Sequence, residues 1–311
     1  MELTEAKLHS LVTGNPEALD VHLSEVKHEF TVDDVSIQTH CFCLTVDGNG
    51  RVQPTALAEY LRHVAVSYAL PRSELREAQL RDVKHGSAEA VSRLSDKARR
   101  LFVGLKKTGE GGELILSLLA EQKLKLPQII AKMSLKTSEG LHYNGADGVH
   151  AAIGENGKLI LYWGESKVYK SVTTAIKSCF NSMSPFLIEE EAASSQRTRD
   201  LELLRDHVDL NDEATQQAIR LYFDSTKRQS KMIEYRGLAL VGFDAKIYGN
   251  KKTTNEKLHS LASTEVKKWG RTLSQRAKKA GIDEFSIELF FLPLPSADGF
   301  RDSFLSAIGK Q

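Results

Sequence analysis

The sequence predicts a mixed α/β fold in which a central mixed sheet is flanked by helices. Runs rich in β-branched and aromatic residues alternate as strands do in the second half of the chain. Segments with apolar residues at helical spacing lie between these runs. Of the 311 residues, 41% are hydrophobic and 27% are charged, which is ordinary for a globular protein and excludes disorder of the whole chain.

The first third of the chain predicts a mostly helical accessory region over residues 1–106. Alternating strand formers indicate extended chain over 27–46, which an Asp-Gly-Asn-Gly turn ends. Three helices are expected after it, on the basis of an opening proline and apolar stripes. They cover 54–68, 72–83 and 87–102.

Residues 107–311 are predicted to form one further domain around the sheet. The segment 107–112 contains three glycines and predicts a flexible joint. The elements expected after it are a helix over 113–124, strands over 128–136, 145–153 and 159–169, a helix over 172–183 that Pro185 ends, helices over 197–208 and 212–223, a strand over 235–243, a long helix over 255–280, a strand over 284–292 and a helix over 300–308.

Charge and cysteine content exclude several classes of protein. Lys plus Arg number 42 and Asp plus Glu 41, so a grossly basic nucleic-acid coat protein is excluded. Three cysteines do not make a disulfide scaffold, and Cys41 and Cys43 fit buried strand positions better than a zinc site. No apolar run approaches the roughly 20 residues that span a bilayer, and the acidic start is unlike a signal peptide. We therefore expect a cytoplasmic protein with no membrane partner.

One charged pair stands out by its position in the chain. Glu165 and Lys167 lie towards the end of the apolar run LYWGESKVY. Charged side chains are rarely buried in such a strand unless they are paired or functional. The same Glu-x-Lys spacing occurs four more times, so spacing alone indicates nothing. Alternation places Glu165 and Lys167 on one face of the strand, about 7 Å apart at Cα. Because both lie towards the strand end, we expect their truncation to leave the fold intact.

The turn before this strand decides which residue lies opposite Glu165. A two-residue turn at 156–157 pairs Asp147 with Ser166 and puts it on the wrong face. A three-residue loop over 155–157, with Gly157 left-handed, pairs Asp147 with Glu165. We favour the second register, because it also aligns the apolar residues of the two strands on one face.

Asp147 and Glu165 side by side suit a divalent metal. Hard ions such as Mg²⁺ take oxygen ligands, here the two carboxylates and the Ser166 carbonyl, and keep several waters. Lys167 then lies where it can position a water and stabilise developing charge. A cross-strand salt bridge at a sheet edge explains the same residues without function. The same Asp/Glu-x-Lys spacing occurs at 244–246, after a later apolar strand. No hairpin strand with an acid precedes it, so we expect these residues to be a strand end.

The order helix, three strands, Asp, Glu-x-Lys and helix resembles the PD-(D/E)xK nuclease core, which is restriction-endonuclease-like. The strings HYNGADGVH and LYWGESKVY closely resemble the DUF1837 family, which includes HamA, the nuclease subunit of the Hachiman anti-phage defence system. The match is strongest over residues 109–184. Ala146 stands where the proline that names the motif is usual, which weakens the pattern only slightly.

The resemblance implies a Mg²⁺-dependent deoxyribonuclease, with Mn²⁺ able to substitute, and a helicase partner like HamB. It implies Asp147, Glu165 and Lys167 as the active-site residues. In related nucleases the first core helix often supplies an acid to the metal site, and Glu113 is best placed to be that metal ligand. A favourable interaction with the helix dipole explains Glu113 equally well. A non-catalytic adaptor that binds DNA or the helicase, and a ribonuclease, remain the alternatives.

Basic residues cluster late in the chain. Between residues 227 and 279 there are 14 Lys or Arg against four acids. Such a region suits sequence-independent contact with DNA phosphates, although a solvated helix surface is as good an explanation. Lys170, Lys251 and Lys252 are the candidates for DNA contact. Because nothing near the motif suggests base readout, we expect the partner to supply selectivity and to dock on the N-terminal region.

Overall fold

The computed structural model describes residues 3–103, 109–131, 133, 145–188, 195–210, 212–249 and 252–309. None of the helices in these ranges is both long and apolar enough to cross a membrane. The described helices are α1 (Glu5–His9), α2 (Pro16–Asp20), α3 (Pro54–Ala69), α4 (Arg72–His85), α5 (Glu89–Val103), α6 (Glu110–Leu124), α7 (Val172–Leu187), α8 (Gln196–His207), α9 (Glu213–Phe223), α10 (Asn255–Gly270), α11 (Leu273–Ala280) and α12 (Ala297–Ala307). The strands are β1 (Leu23–Glu25), β2 (Ile37–Leu44), β3 (Gly148–Ile153), β4 (Leu159–Tyr169), β5 (Ile233–Asp244) and β6 (Ile287–Leu294).

The six strands form one mixed sheet in the order β1-β2-β6-β5-β4-β3. The four central strands are parallel, and the two edge strands are antiparallel to their neighbours. This confirms the predicted mixed α/β class. Only 37–44 of the extended segment 27–46 is a regular strand. Both of its cysteines are buried with free thiols, as their alternation predicts.

Strand β2 ties the N-terminal third to the rest of the chain. It pairs in parallel with β6, about 250 residues further along, so strands from both sides of residue 106 share the sheet. Helix α3 packs against α12 and α6. The predicted domain boundary itself falls in 104–108, outside the described residues, and stays a prediction.

The β3–β4 hairpin has the register that the three-residue loop predicts. Val149 lies opposite Trp163 and Ile153 opposite Leu159, and the Gly154 amide donates to the Lys158 carbonyl at 2.9 Å. Gly157 has a φ of 71°, and Asn156 is left-handed as well, with a φ of 56°. Asn tolerates this conformation better than most residues. The turn therefore brings Asp147, just before β3, level with Glu165.

The strand predicted over 128–136 is wrong for its described part. Residues 128–131 make one isolated bridge, Gln128 to His150, and no strand. The Gln128 amide donates to Glu121 Oε1 at 2.8 Å and its carbonyl accepts from Arg72 at 2.9 Å. Side chains thus occupy the backbone groups that a ladder needs. Residue 132 and residues 134–136 lie outside the described residues.

The glycines after residue 108 are not a joint. Helix α6 begins at Glu110 and includes Gly111 and Gly112. A Cβ on Gly111 would lie 3.1 Å from the Phe304 ring, and one on Gly112 would lie 3.1 Å from Val168 Cγ2. The glycines therefore let the start of α6 approach α12 and β4 closely. Residues 107 and 108 lie outside the described residues.

Among the predicted helix boundaries that differ from the structure, two involve a glycine or a proline. The helix expected over 255–280 is divided at 271–272, and the Phe30 ring packs there against Gly270, where a Cβ would lie 2.2 Å from it. Pro185 does not end α7, which continues to Leu187. Pro185 has no amide hydrogen to donate four residues back, so α7 continues past it with that one hydrogen bond missing.

Candidate active site

Strand β4 presents different residues to the helices on its two faces. Trp163 stacks on Phe186 of α7 with ring centroids 5.1 Å apart. On the other face, a Cβ at Gly164 would lie 3.3 Å from Leu116 of α6. Strand alternation then puts Glu165 and Lys167 with Trp163 on the α7 side, and Ser166 on the α6 side.

Glu165 and Lys167 form an ion pair inside the protein. Glu165 is only 5% exposed, and the Lys167 ammonium donates to its Oε1. The Cys179 thiol of α7 donates to the Glu165 carbonyl at 3.2 Å. The pair occupies the seventh and ninth positions of an eleven-residue strand. Because Glu165 is buried, the expectation that truncation here leaves stability untouched needs correction.

The electrostatics of this pair are dominated by burial and by Asp147. Burial first, and then the nearby Asp147 charge, raise the pKa of Glu165 to about 8 against the opposing effect of Lys167. Burial disfavours the Lys167 charge, but the carboxylates of Glu165 and Asp147 outweigh it and raise the pKa of Lys167. Lys167 therefore stays cationic, while burial and the nearby Asp147 charge disfavour the charged form of Glu165.

Asp147 lies at the sheet edge, where β3 begins. Its amide donates to the Gly164 carbonyl at 2.8 Å. Its Oδ2 accepts from the Ser166 amide at 2.8 Å and from the Ser166 hydroxyl at 3.0 Å. These contacts anchor the carboxylate beside the strand that carries Glu165 and Lys167. The Ser166 side chain therefore orients Asp147.

Glu113 and a tyrosine from the N-terminal third lie on the α6 side. Glu113 is 9% exposed, and its Oε2 accepts from the Tyr68 hydroxyl at 3.2 Å. The same hydroxyl lies 3.5 Å from the Asp147 carbonyl. Glu113 adds a further, weaker charge that raises the pKa of Glu165. Asp147 is thus the acid that lies between Glu113 on one side and Glu165 on the other.

The oxygens at this edge fit a hard divalent ion. Asp147 Oδ1 and Glu165 Oε2 make no hydrogen bond within the described part of the chain, while the partner oxygen of each is held by a donor. Mg²⁺ is commonly held by one or two carboxylates and keeps its other positions for water and phosphate. Among the described residues, no three His, Cys, Asp or Glu are grouped closely enough to hold an ion by themselves.

Two of the three residues predicted to contact DNA lie in the described part of the chain, and both are exposed. Lys170 is exposed just after β4 and pairs with Asp298 at 2.9 Å. Lys252 is exposed in the loop before α10. Lys251 lies outside the described residues.

Asp244, the first residue of the Asp-x-Lys segment at 244–246, has a structural role. Its carboxylate accepts from the Ala297 amide at 2.6 Å, at the start of α12.

Sequence reasoning missed two residues that the fold brings to the site. Tyr68 continues the apolar stripe of α3, so its hydroxyl lies at a core-facing position, where tyrosines normally need a polar partner. The need for a polar partner was the only signal in the sequence that pointed to Tyr68. Cys179 lies on the apolar face of α7, and no local pattern distinguishes it from an ordinary core residue.

A comparison with protein-family models identifies one match that covers nearly the whole chain. The model, described as HamA, matches residues 20–308. No match was found among curated proteins or among solved structures.

Proposed function

The chain belongs to the HamA family, and we propose that it is a metal-dependent nuclease that cleaves DNA phosphodiester bonds. The family indicates a subunit of the Hachiman antiviral defence system. The nuclease chemistry is our inference from the β4 edge. The observation that carries it is the buried Glu165–Lys167 pair beside Asp147, since such a group of charges is costly to bury without use.

Each residue of the edge has a distinct role in this proposal. Asp147 Oδ1 and Glu165 Oε2 would hold Mg²⁺, with the Ser166 carbonyl and the Glu113 carboxylate as further oxygens and Mn²⁺ as a substitute ion. The ion would offset phosphate charge and acidify a bound water. Lys167 positions the attacking water and stabilises the negative charge that develops on the phosphate. Ser166 keeps Asp147 in place through its amide and hydroxyl.

The test is digestion of supercoiled plasmid by the purified full chain. We expect cleavage with Mg²⁺ or Mn²⁺ and none with a chelator present. Glu165→Gln and Lys167→Met should each abolish cleavage, because they remove a metal-binding oxygen and the cationic group. Lys246→Met is the matched control. Lys246 follows β5, which pairs in parallel with β4, and has the same Asp/Glu-x-Lys spacing, but its side chain is exposed.

The outcome separates the alternatives. Cleavage that survives either site variant would remove that residue from catalysis. Binding of DNA without metal-dependent cleavage would indicate an adaptor subunit. Cleavage of single-stranded RNA in preference to DNA, lost in the same variants, would indicate a ribonuclease with this site.

Family membership implies a partner within a defence complex. We infer that this partner is a helicase that loads on DNA and restrains the nuclease, because a nonspecific nuclease acting alone would attack the host chromosome. Co-purification of the helicase with the full chain tests the inference. Because β2 belongs to the common sheet, removal of residues 1–106 would expose β6 and is unsuitable for locating the dock. Expression of the chain alone without toxicity would show that the restraint is its own.

A further inference from the structure

Helix α3 sends one tyrosine hydroxyl into the acidic edge of the sheet. Tyr68 lies one residue before the end of α3 and is 5% exposed. Its ring packs beside Phe102 of α5, with centroids 6.3 Å apart. Its hydroxyl lies 3.2 Å from Glu113 Oε2 and 3.5 Å from the Asp147 carbonyl. The ring is therefore fixed by packing, and the hydroxyl is directed at the Glu113 carboxylate and the backbone carbonyl of Asp147.

The Tyr68 hydroxyl is the donor in its contact with Glu113. A protonated phenol beside a carboxylate donates its hydrogen and fixes the carboxylate plane. Donors that hold metal-binding carboxylates in this way typically matter 10- to 100-fold for affinity or activity.

We propose that Tyr68 is a positioning residue of the nuclease site, which sets the Glu113 carboxylate against the start of β3 and so prepares the acidic edge for its metal. This inference rests on the proposed function. It makes the N-terminal region a part of the active site, because α3 supplies the Tyr68 hydroxyl that donates to Glu113.

Tyr68→Phe tests the hydroxyl alone, because the ring and its packing are retained. Tyr60→Phe is the matched control: it lies eight residues earlier on α3, and its ring stacks on His22. Binding of Mg²⁺ and Mn²⁺ to the full chain is measured by titration calorimetry, without substrate. We expect roughly 10- to 100-fold weaker binding for Tyr68→Phe and no change for Tyr60→Phe. The Mg²⁺ concentration for half-maximal cleavage should rise in parallel, while cleavage at saturating Mg²⁺ recovers in part.

A double-variant cycle shows whether Tyr68 acts through Glu113. Glu113→Gln keeps the side-chain volume. If Tyr68 acts by positioning Glu113, the double variant binds metal no more weakly than the weaker single variant. If the two losses of metal affinity multiply in the double variant, Tyr68 does not act through Glu113. Wild-type metal binding by Tyr68→Phe would refute the proposal as well. Absence of metal binding and cleavage in the wild-type chain would instead overturn the proposed function, and this inference with it.

If Tyr68→Phe has a much lower melting temperature than the wild type, Mg²⁺ binding is instead compared between the wild type and Glu113→Gln. A positioned metal-binding acid predicts weaker Mg²⁺ binding in that variant. Unchanged Mg²⁺ binding would contradict the proposal.

Discussion

Removal of the Lys167 charge should weaken both catalysis and the fold. In Lys167→Met the stem remains and the ammonium is lost, so the buried Glu165 carboxyl either stays charged without its cation or takes up a proton, which its raised pKa favours. Breaking a buried ion pair from one side costs about 3–5 kcal/mol. The Lys167 side chain is 22% exposed and that of Glu165 7%, so we take the lower end of this range, about 3 kcal/mol.

This loss converts to a measurable shift in melting temperature. For 311 residues at about 2.1 cal/mol/K per residue, the unfolding entropy is about 0.65 kcal/mol/K, and about 3 kcal/mol lowers the melting temperature by about 5 °C. Glu165→Gln should cost less, because the Lys167 ammonium retains contact with water and with the Asp147 charge. The double variant should return to within about 1 kcal/mol of the wild type, since neither charge is then stranded.

Thermal unfolding of the four proteins, with plasmid cleavage measured beside it, checks the reasoning. We expect no cleavage in any of the three variants. The exposed Lys246→Met control should melt with the wild type. A Lys167→Met protein that melts like the wild type would show that Glu165 does not depend on its partner. Additive losses in the double variant would show that the two charges are not coupled.

Three further outcomes are expected. Gly164→Ala places a Cβ 3.1 Å from the Gly148 carbonyl oxygen, which should push β3 from β4, cost about 1–3 kcal/mol in unfolding free energy and lower the initial cleavage rate; a fully active variant would contradict the tight hairpin. Arg72→Met removes the cation from the Glu121 carboxylate, whose side chain is 6% exposed but keeps donors from Thr13 and Gln128. The change should cost about 3 kcal/mol by urea unfolding, the lower end for a buried pair broken from one side; an unchanged urea midpoint would show that the pair is not needed. Lys170→Ala should weaken DNA binding and reduce the slope of log K against log salt by about one, and an unchanged slope would remove that lysine from the phosphate contacts.

Features with a local cause were predictable from the sequence. The alternation of LILYWGESKVY predicts a strand over 159–169, and the structure has β4 with those limits. The residues between 153 and 159 allow few turn geometries, and only one aligns the apolar residues of both strands, so the hairpin register was predictable. Local patterns misled where a distant side chain competed. Gln128 follows a strand-like pattern, but Glu121 and Arg72 occupy its backbone groups.

The sequence by itself determined that Glu165 and Lys167 share one face of a strand and that Asp147 lies level with them. Both follow from the two-residue period of a strand and the length of one turn. Only the tertiary structure decided that the pair is buried under α7, and that the Tyr68 hydroxyl reaches Glu113 and Asp147, 45 and 79 residues away. Such contacts depend on how whole helices pack on the sheet. Because packing is shared among many side chains, no period or spacing within the chain encodes it.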